Sequence, residues 1–185
     1  MVAPDGPVSD ELPTSIRVLA ARELDAVERA LPKANPADHA ERLADQYAGQ
    51  VLYLIAWLGA RPVGHVLVRW RGSTNPALRP VIMRYGRHPY LEDLFVLAES
   101  RSRSFGSQLL ATAEQQANLR GHDRIGLAVA LENVRARALY ERHGYRDAEI
   151  GQFRSRWTRI DDDGRLRSGV EQCVYLIKET GDRSG

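Results

Sequence analysis

The sequence predicts a mixed α/β fold in which helices cover one sheet. Three observations predict it. Strand-like runs of β-branched and aromatic residues alternate with stretches of helical spacing. Their order is strand, two helices, strands, helix, strand, helix, strands. No segment repeats another.

A strand over residues 16–20 leads into a helix over 21–31, where Leu24, Val27, Ala30 and Leu31 recur at helical spacing. Pro32 and Pro36 interrupt, and residues 37–50 form a second short helix, with Leu43 and Tyr47 one turn apart before Gly49. Residues 51–58 and 63–70 are apolar runs separated by Gly59-Ala60-Arg61-Pro62, which predicts an antiparallel hairpin. The stretch 71–89 holds Gly72, Asn75, Pro76, Pro80, Gly86 and Pro89, so an irregular loop is expected, with a brief pairing at 81–83. Loops of this length in compact domains are often functional.

A strand at 90–97, interrupted by Glu92 and Asp93, joins a helix over 105–119 with Leu109, Leu110, Ala113 and Ala117 inward. Residues 125–131 are a strand, 134–143 a helix ended by Gly144, and 145–150 a short strand. A final hairpin pairs 153–160 with 172–177 around a turn at 161–169.

With 185 residues, 43% hydrophobic and 27% charged, one folded domain over 14–180 is expected, with a disordered leader at 1–13 and a flexible tail at 181–185. Net charge is only +2 and the arginines are dispersed among acids, which argues against nucleic acid as a partner. Cys173 is the single cysteine, so no intramolecular disulfide forms and a cytoplasmic location is the default. The first 13 residues carry Asp5, Asp10 and Glu11 where a secretion signal would be basic and then apolar. The longest apolar run, 51–58, falls far short of the roughly 20 residues of a membrane helix, so no membrane association is expected.

Chemistry concentrates after the strand at 90–97. The run Glu99-Ser100-Arg101-Ser102-Arg103-Ser104-Phe105-Gly106-Ser107 opens the long helix. A strand-turn-helix of this kind aims unpaired backbone N–H groups and the positive helix end at one spot, which suits pyrophosphate. Ser102, Ser104, Gly106 and Ser107 are small enough for phosphate oxygens to approach, and Arg101 and Arg103 add charge-assisted donors. Taken alone, the segment is an ordinary serine-capped helix start. The later segment from Asn133 to Tyr145 changes that weighing. Asn133, Ala136 and Tyr140 share roughly one helix face, which can line one cleft.

Together the two segments resemble the GCN5-related N-acetyltransferase (GNAT) family. Arg101, Ser104 and Gly106 fall on its phosphate-loop pattern Gln/Arg-x-x-Gly-x-Gly/Ala. Asn133, Ala136, Leu139, Tyr140, Gly144 and Tyr145 fall on its later pattern Asn-x-x-Ala-x-x-Leu-Tyr-x-x-x-Gly-Phe. Ser104 stands where the first loop glycine is expected and Tyr145 where phenylalanine is, and a positive φ at Ser104 would strain the loop. The resemblance covers residues 51–178, and each motif is weak alone but strong in joint order and spacing.

The resemblance implies a mostly antiparallel sheet with helices on both faces and an enzyme that moves an acetyl group from acetyl-CoA directly to a primary amine, of a small molecule in preference to a protein or peptide. A non-catalytic acyl-CoA sensor is the rival of another class, and a nucleotide-binding protein lacks the required Gly-x-x-x-x-Gly-Lys-Ser/Thr run. It implies a cofactor site built from Leu94, Phe95, Val96, Arg101, Ser102, Arg103, Ser104, Phe105, Gly106, Ser107, Asn133, Ala136 and Tyr140. The strand around Val96 then runs beside the pantetheine arm and diverges from the strand at 125–131, and a backbone N–H of Leu94 to Val96 receives the oxyanion. Tyr140 becomes the general acid for the departing thiolate. Glu92 is the first choice of general base, with Asp93 second because strand alternation directs it to the opposite face. A surface ion pair is the competing reading of Glu92, and a water chain is an alternative base.

No metal is expected, since His39, His65, His88, His122 and His143 lack ligand spacing. Cys173 reads as a packed thiol. The first two helices, the 71–90 loop and the final hairpin should frame the acceptor. Asp38, Glu41 and Asp45 read as a solvated helix face, and Trp70, Tyr85, Tyr90 and Trp157 as either an aromatic wall or core. A homodimer is the candidate assembly.

Overall fold

The computed structural model describes residues 12–33, 38–101, 103–160, 163 and 165–181. The expected leader and tail fall almost wholly outside these residues. The strands are β1 (Thr14–Val18), β2 (Val51–Leu58), β3 (Arg61–Arg69), β4 (Tyr90–Val96), β5 (Arg124–Ala130), β6 (Arg146–Asp147), β7 (Phe153–Ile160) and β8 (Leu166–Glu179). They form one sheet of order β1-β2-β3-β4-β5-β8-β6, with β7 on the remaining length of β8. Of these pairings only β4 with β5 is parallel. The helices are α1 (Leu24–Ala30), α2 (Asp38–Tyr47), α3 (Arg79–Tyr85), α4 (Phe105–Leu119) and α5 (Val134–Arg142).

Helices cover both faces, and the alternation of β2 shows how. Leu52, Leu54 and Ala56 join the core under α4 and α5, while Val51, Tyr53, Ile55 and Trp57 join the core under α1 and α2. A strand buried on both sides reads as a continuous apolar run, which is why 51–58 does. Along α4, Phe105, Leu109, Leu110, Ala113 and Ala117 form one buried stripe. Each large side chain so buried contributes about 1.5–3 kcal/mol.

The stretch 71–89 departs from the expected irregular loop. A 3-10 turn at Pro76–Leu78 runs into α3, and residues 81–83 are helical instead of paired. Asn75 caps this start by accepting from the Ala77 N–H at 3.0 Å, and Pro76 and Pro80 sit in first turns, where a missing N–H costs nothing. Val81 anchors α3 against Leu78, Phe153, Cys173 and Tyr175. The expected strand at 145–150 shrinks to the two residues of β6.

The feature that positions the site lies in β4. On β3 the register passes from Leu67, paired with Glu92, to His65, paired with Phe95, so β4 carries one extra residue. Asp93 absorbs it in the left-handed region at φ 55°. Such a bulge bends its strand. At its start β4 pairs with β5 at Tyr90 with Gly126 and at Leu91 with Leu127, and past these positions the two strands part. Gly64 lets β3 follow, because a Cβ there would stand 2.5 Å from the Phe95 carbonyl oxygen.

Candidate active site

The parting of β4 and β5 opens the sheet between its two helical layers. A cavity of about 710 Å³ lies on the α4 and α5 side, and one of about 890 Å³ on the side of α2, β7 and residues 73–76. Leu94, Phe95 and Tyr140 line both. The cavities therefore meet where β4 has left β5.

The smaller cavity is polar at one end. Phe105, Gly106 and Ser107 begin α4 and line it, and N–H groups in a first helical turn have no intrahelical acceptor. Ser104 makes the turn at φ 62° and ψ 7°, and its hydroxyl forms no cap. The strained alternative raised by the sequence is thus the observed one. Arg101 lines the same end and donates from Nε to the Val96 carbonyl at 3.1 Å. The Leu97 N–H bonds to Val63 on β3, so by alternation the N–H and carbonyl of Val96 face the open gap. Gly106 faces α5 closely, since a Cβ on it would lie 3.3 Å from Leu139 Cδ2.

On α5, Asn133 is the N-cap, accepting from the Ala136 N–H at 3.2 Å, and both residues line the cavity. Of the thirteen cofactor residues expected from sequence, Ser102 lies outside the described residues and Arg103 is exposed away from the cavity lining. The other eleven line it. Ser100, Arg135, Leu139 and Arg142 also line it, outside the expected cofactor set. The signal was present: Arg135, Leu139 and Arg142 follow one another at helical spacing beside Tyr140.

Tyr140 is 8% exposed and its ring meets Tyr145 edge-on, with centroids 5.9 Å apart. Burial first, and the charge of Asp93 second, push its phenol up to about 12. The group is thus a neutral O–H donor across the physiological range.

Glu92 and Asp93 both line the larger cavity. Glu92 pairs opposite Leu67 and binds Arg69 through both oxygens, at 2.7 and 3.2 Å. Asp93 accepts from Arg42 at 2.7 Å and lies 3.1 Å from His65 Nε2. Both carboxylates thus lie on the α1 and α2 side, against the expectation that alternation separates them. The bulge adds the half-step that reverses Asp93. Burial opposes ionisation of Asp93, but the hydrogen bond and charge of His65 and the charge of Arg42 outweigh it and hold the carboxyl well below its usual range.

The remaining candidates divide. Tyr90 and Trp157 line the larger cavity, whereas Trp70 stacks on His122 in the core and Tyr85 donates to the Ala148 carbonyl. Asp38 is buried against Arg42 at 2.9 Å, so it does not belong to a solvated face. Cys173 is buried and its thiol is pushed up to about 12, first by burial and then by Glu171, which keeps it protonated. Arg42, Arg154 and Arg156 bring unanticipated cations to the acceptor side. Among the described residues no cluster of three metal-ligating side chains occurs, and no helix is long and apolar enough to cross a membrane.

Comparison with known proteins agrees with this fold. The chain is 37% identical over 57 residues to an uncharacterized N-acetyltransferase, YhfO, of Bacillus subtilis (strain 168), a segment that spans 31% of this chain and 38% of that protein. Among solved structures, the ribosomal-protein-S18-alanine N-acetyltransferase of Escherichia coli superposes with a TM-score of 0.62 at 17% identity, covering 93% of this chain and 99% of that one. The PaiA N-acetyltransferase of Thermoplasma acidophilum, in complex with coenzyme A, gives 0.63 at 12% identity over 91% and 99%. At these identities the structures share the fold. The acetyltransferase (GNAT) family profile matches residues 20–145, well over half of the sequence, and the chain belongs to that family.

Proposed function

We propose that the protein transfers an acetyl group from acetyl-CoA directly to the primary amine of a small molecule. One observation carries this reading: Tyr140 lines both cavities, at the place where β4 and β5 part. The residues present fit the cosubstrate. Arg101, Arg135, Arg142 and the first N–H groups of α4 suit its phosphates, and the Val96 N–H, facing the gap, suits an extended amide-bearing arm. When bound, acetyl-CoA supplies the thioester.

The chain's own groups then have defined tasks. Glu92 and Asp93 attract the acceptor ammonium, and one of them receives its proton. A backbone N–H of Leu94 to Val96 stabilises negative charge on the attacked carbonyl oxygen. Tyr140 protonates the departing sulfur, and burial keeps its phenol protonated until the thiolate forms. The larger cavity, of about 890 Å³ with β7 and residues 73–76 in its wall, suits a compact acceptor. The pairing of a donor phenol with two carboxylates supports catalysis over mere sensing, and the buried lone cysteine suits the cytoplasm.

Thiol release from acetyl-CoA, followed against polyamines, aminoglycosides, amino acids and peptides with free N-termini, tests the reading. Turnover with a small amine is expected. Turnover confined to peptides would replace the acceptor class, and acetyl-CoA binding without turnover on any acceptor would leave a sensor.

A further inference from the structure

Behind Asp93 runs a file of buried polar groups that the mechanism above does not use. Asp93 Oδ2 meets His65 Nε2 at 3.1 Å, His65 Nδ1 meets the Tyr53 hydroxyl at 3.1 Å, that hydroxyl meets His39 Nδ1 at 2.8 Å, and His39 Nε2 meets the Leu31 carbonyl at 3.3 Å. His65, Tyr53 and His39 are fully buried. Asp93, its side chain 43% exposed, is the member of the file that lines the acceptor cavity.

The two ends of the file, a carboxylate and a backbone carbonyl, only accept. A neutral imidazole carries one N–H and a phenol one O–H. Three mobile protons therefore face four contacts, and in the uncharged state one contact sets two lone pairs against each other. Adding one proton satisfies every contact. Arg42 bonds both Asp93 and Asp38 beside the file. On this sheet face Arg69 bonds Glu92 and Asp45, Arg17 bonds Glu23 beside Trp57, and Lys33, Arg154 and Arg156 line the same cavity as Asp93. Phe95 packs its apolar ring on His65, and Leu31, just past the end of α1, contributes its carbonyl.

We propose that Asp93, His65, Tyr53 and His39 form a relay that takes up one proton, and that this proton is the one the acceptor ammonium gives up at Asp93. The inference rests on the acetyl-transfer reading and names the base within it. In the resting arrangement His39 donates to Leu31, Tyr53 to His39 and His65 Nδ1 to Tyr53, which leaves the His65 Nε2 lone pair facing Asp93. An ammonium N–H bond breaks at Asp93 and an N–H bond forms at His65 Nε2. The freed amine pair forms the bond to the acyl carbon, and the C–S bond breaks as Tyr140 gives its proton to sulfur. The second nitrogen proton restores Tyr140, and the relay returns its proton to solvent through Asp93. The contact between Asp93 and His65 is the one that the added proton completes. Asp93 touches the substrate, while His65, Tyr53 and His39 act through it.

Tyr53→Phe keeps the ring and cuts the relay in the middle. His65 then has one contact to satisfy, which its neutral form fills. In this variant kcat/KM should fall about 10-fold or more, and the acid limb of its pH profile should move by about one pH unit, with the Kd for coenzyme A unchanged. Imidazole 15N NMR on the unaltered protein is the independent measurement. Between pH 5 and 9, His39 and His65 together should take up one proton and no more. Two independent titrations, a file that stays charged throughout, or a Tyr53→Phe enzyme with its acid limb in place would each overturn the relay. Absence of acetyl transfer to any amine in the unaltered protein would instead overturn the function, and the NMR count would still judge the relay.

Discussion

Glu92 and Asp93 are consecutive in β4 and their carboxylates lie on the same side of the sheet, Glu92 on Arg69 and Asp93 on Arg42 and His65. Two adjacent strand residues can share a face only if the backbone between them leaves the pleat, and the left-handed Asp93 supplies that departure. The same residue ends the pairing of β4 with β5. One backbone irregularity thus opens the cleft and puts two acids beside it.

If the bulge shapes the cleft, the strand packed against it must leave it room. In Gly64→Ala the new methyl would stand 2.5 Å from the Phe95 carbonyl, and backbone cannot swing aside as a side-chain tip can. We expect a loss of about 2–3 kcal/mol in urea unfolding, in the range of overpacking, together with lower acetyl transfer by the folded fraction. A fully stable, fully active variant would show that β3 and β4 are not held this tightly.

Ser104 occupies a conformation in which a Cβ costs roughly 1–2 kcal/mol, offset in glycine by about 0.5–1 kcal/mol of extra chain entropy. Because its hydroxyl caps nothing, Ser104→Gly loses no hydrogen bond. The variant should be stabler by about 0.5–1 kcal/mol, or roughly 1–4 °C in Tm, and bind coenzyme A at least as tightly. Lower stability in a thermal melt would mean that the serine has a partner role this geometry does not reveal.

The alternation of apolar and turn-forming residues made most strands and helices legible, as did the paired motifs on α4 and α5. Two kinds of feature were not. Pro76 and Pro80 look like chain breakers, but at first-turn positions they begin helices, a distinction that depends on the Asn75 cap. The facing of Asp93 depends on a bulge, and no local signal marks it, because aspartate at positive φ is uncommon. His39 and His65 were set aside for want of metal spacing, although 26 positions separate them and Tyr53 joins them in space. Side chains brought together by three different elements leave no spacing to read.

At the phosphate end, Arg101 both lines the cavity and ties its Nε to the Val96 carbonyl. Arg101→Ala removes a cation and frees the strand edge. A charge-assisted contact is worth about 1.5–3 kcal/mol, so the Kd for coenzyme A should rise roughly 10-fold to 100-fold by calorimetry. Pantetheine, which lacks the diphosphate, should bind the variant and the parent alike. An equal loss for both ligands would move the role of Arg101 from charge to strand geometry.

Tyr140 makes a prediction in activity and another in stability. Tyr140→Phe should lower kcat about 100-fold with little change in the Kd for coenzyme A, because the lost group acts on the leaving sulfur. The phenol sits at about 12 in the fold and about 10 in the unfolded chain, so the unfolded state releases its proton first as pH rises. Its contribution to stability is complete below pH 10 and is lost as pH climbs through 12, amounting to about 1.4 kcal/mol by pH 11. Urea midpoints at pH 8 and pH 11 should therefore converge or cross between the two proteins, with the phenylalanine variant losing less. If both proteins lose the same amount, the Tyr140 hydroxyl is not in the dry setting that its proposed donor role requires.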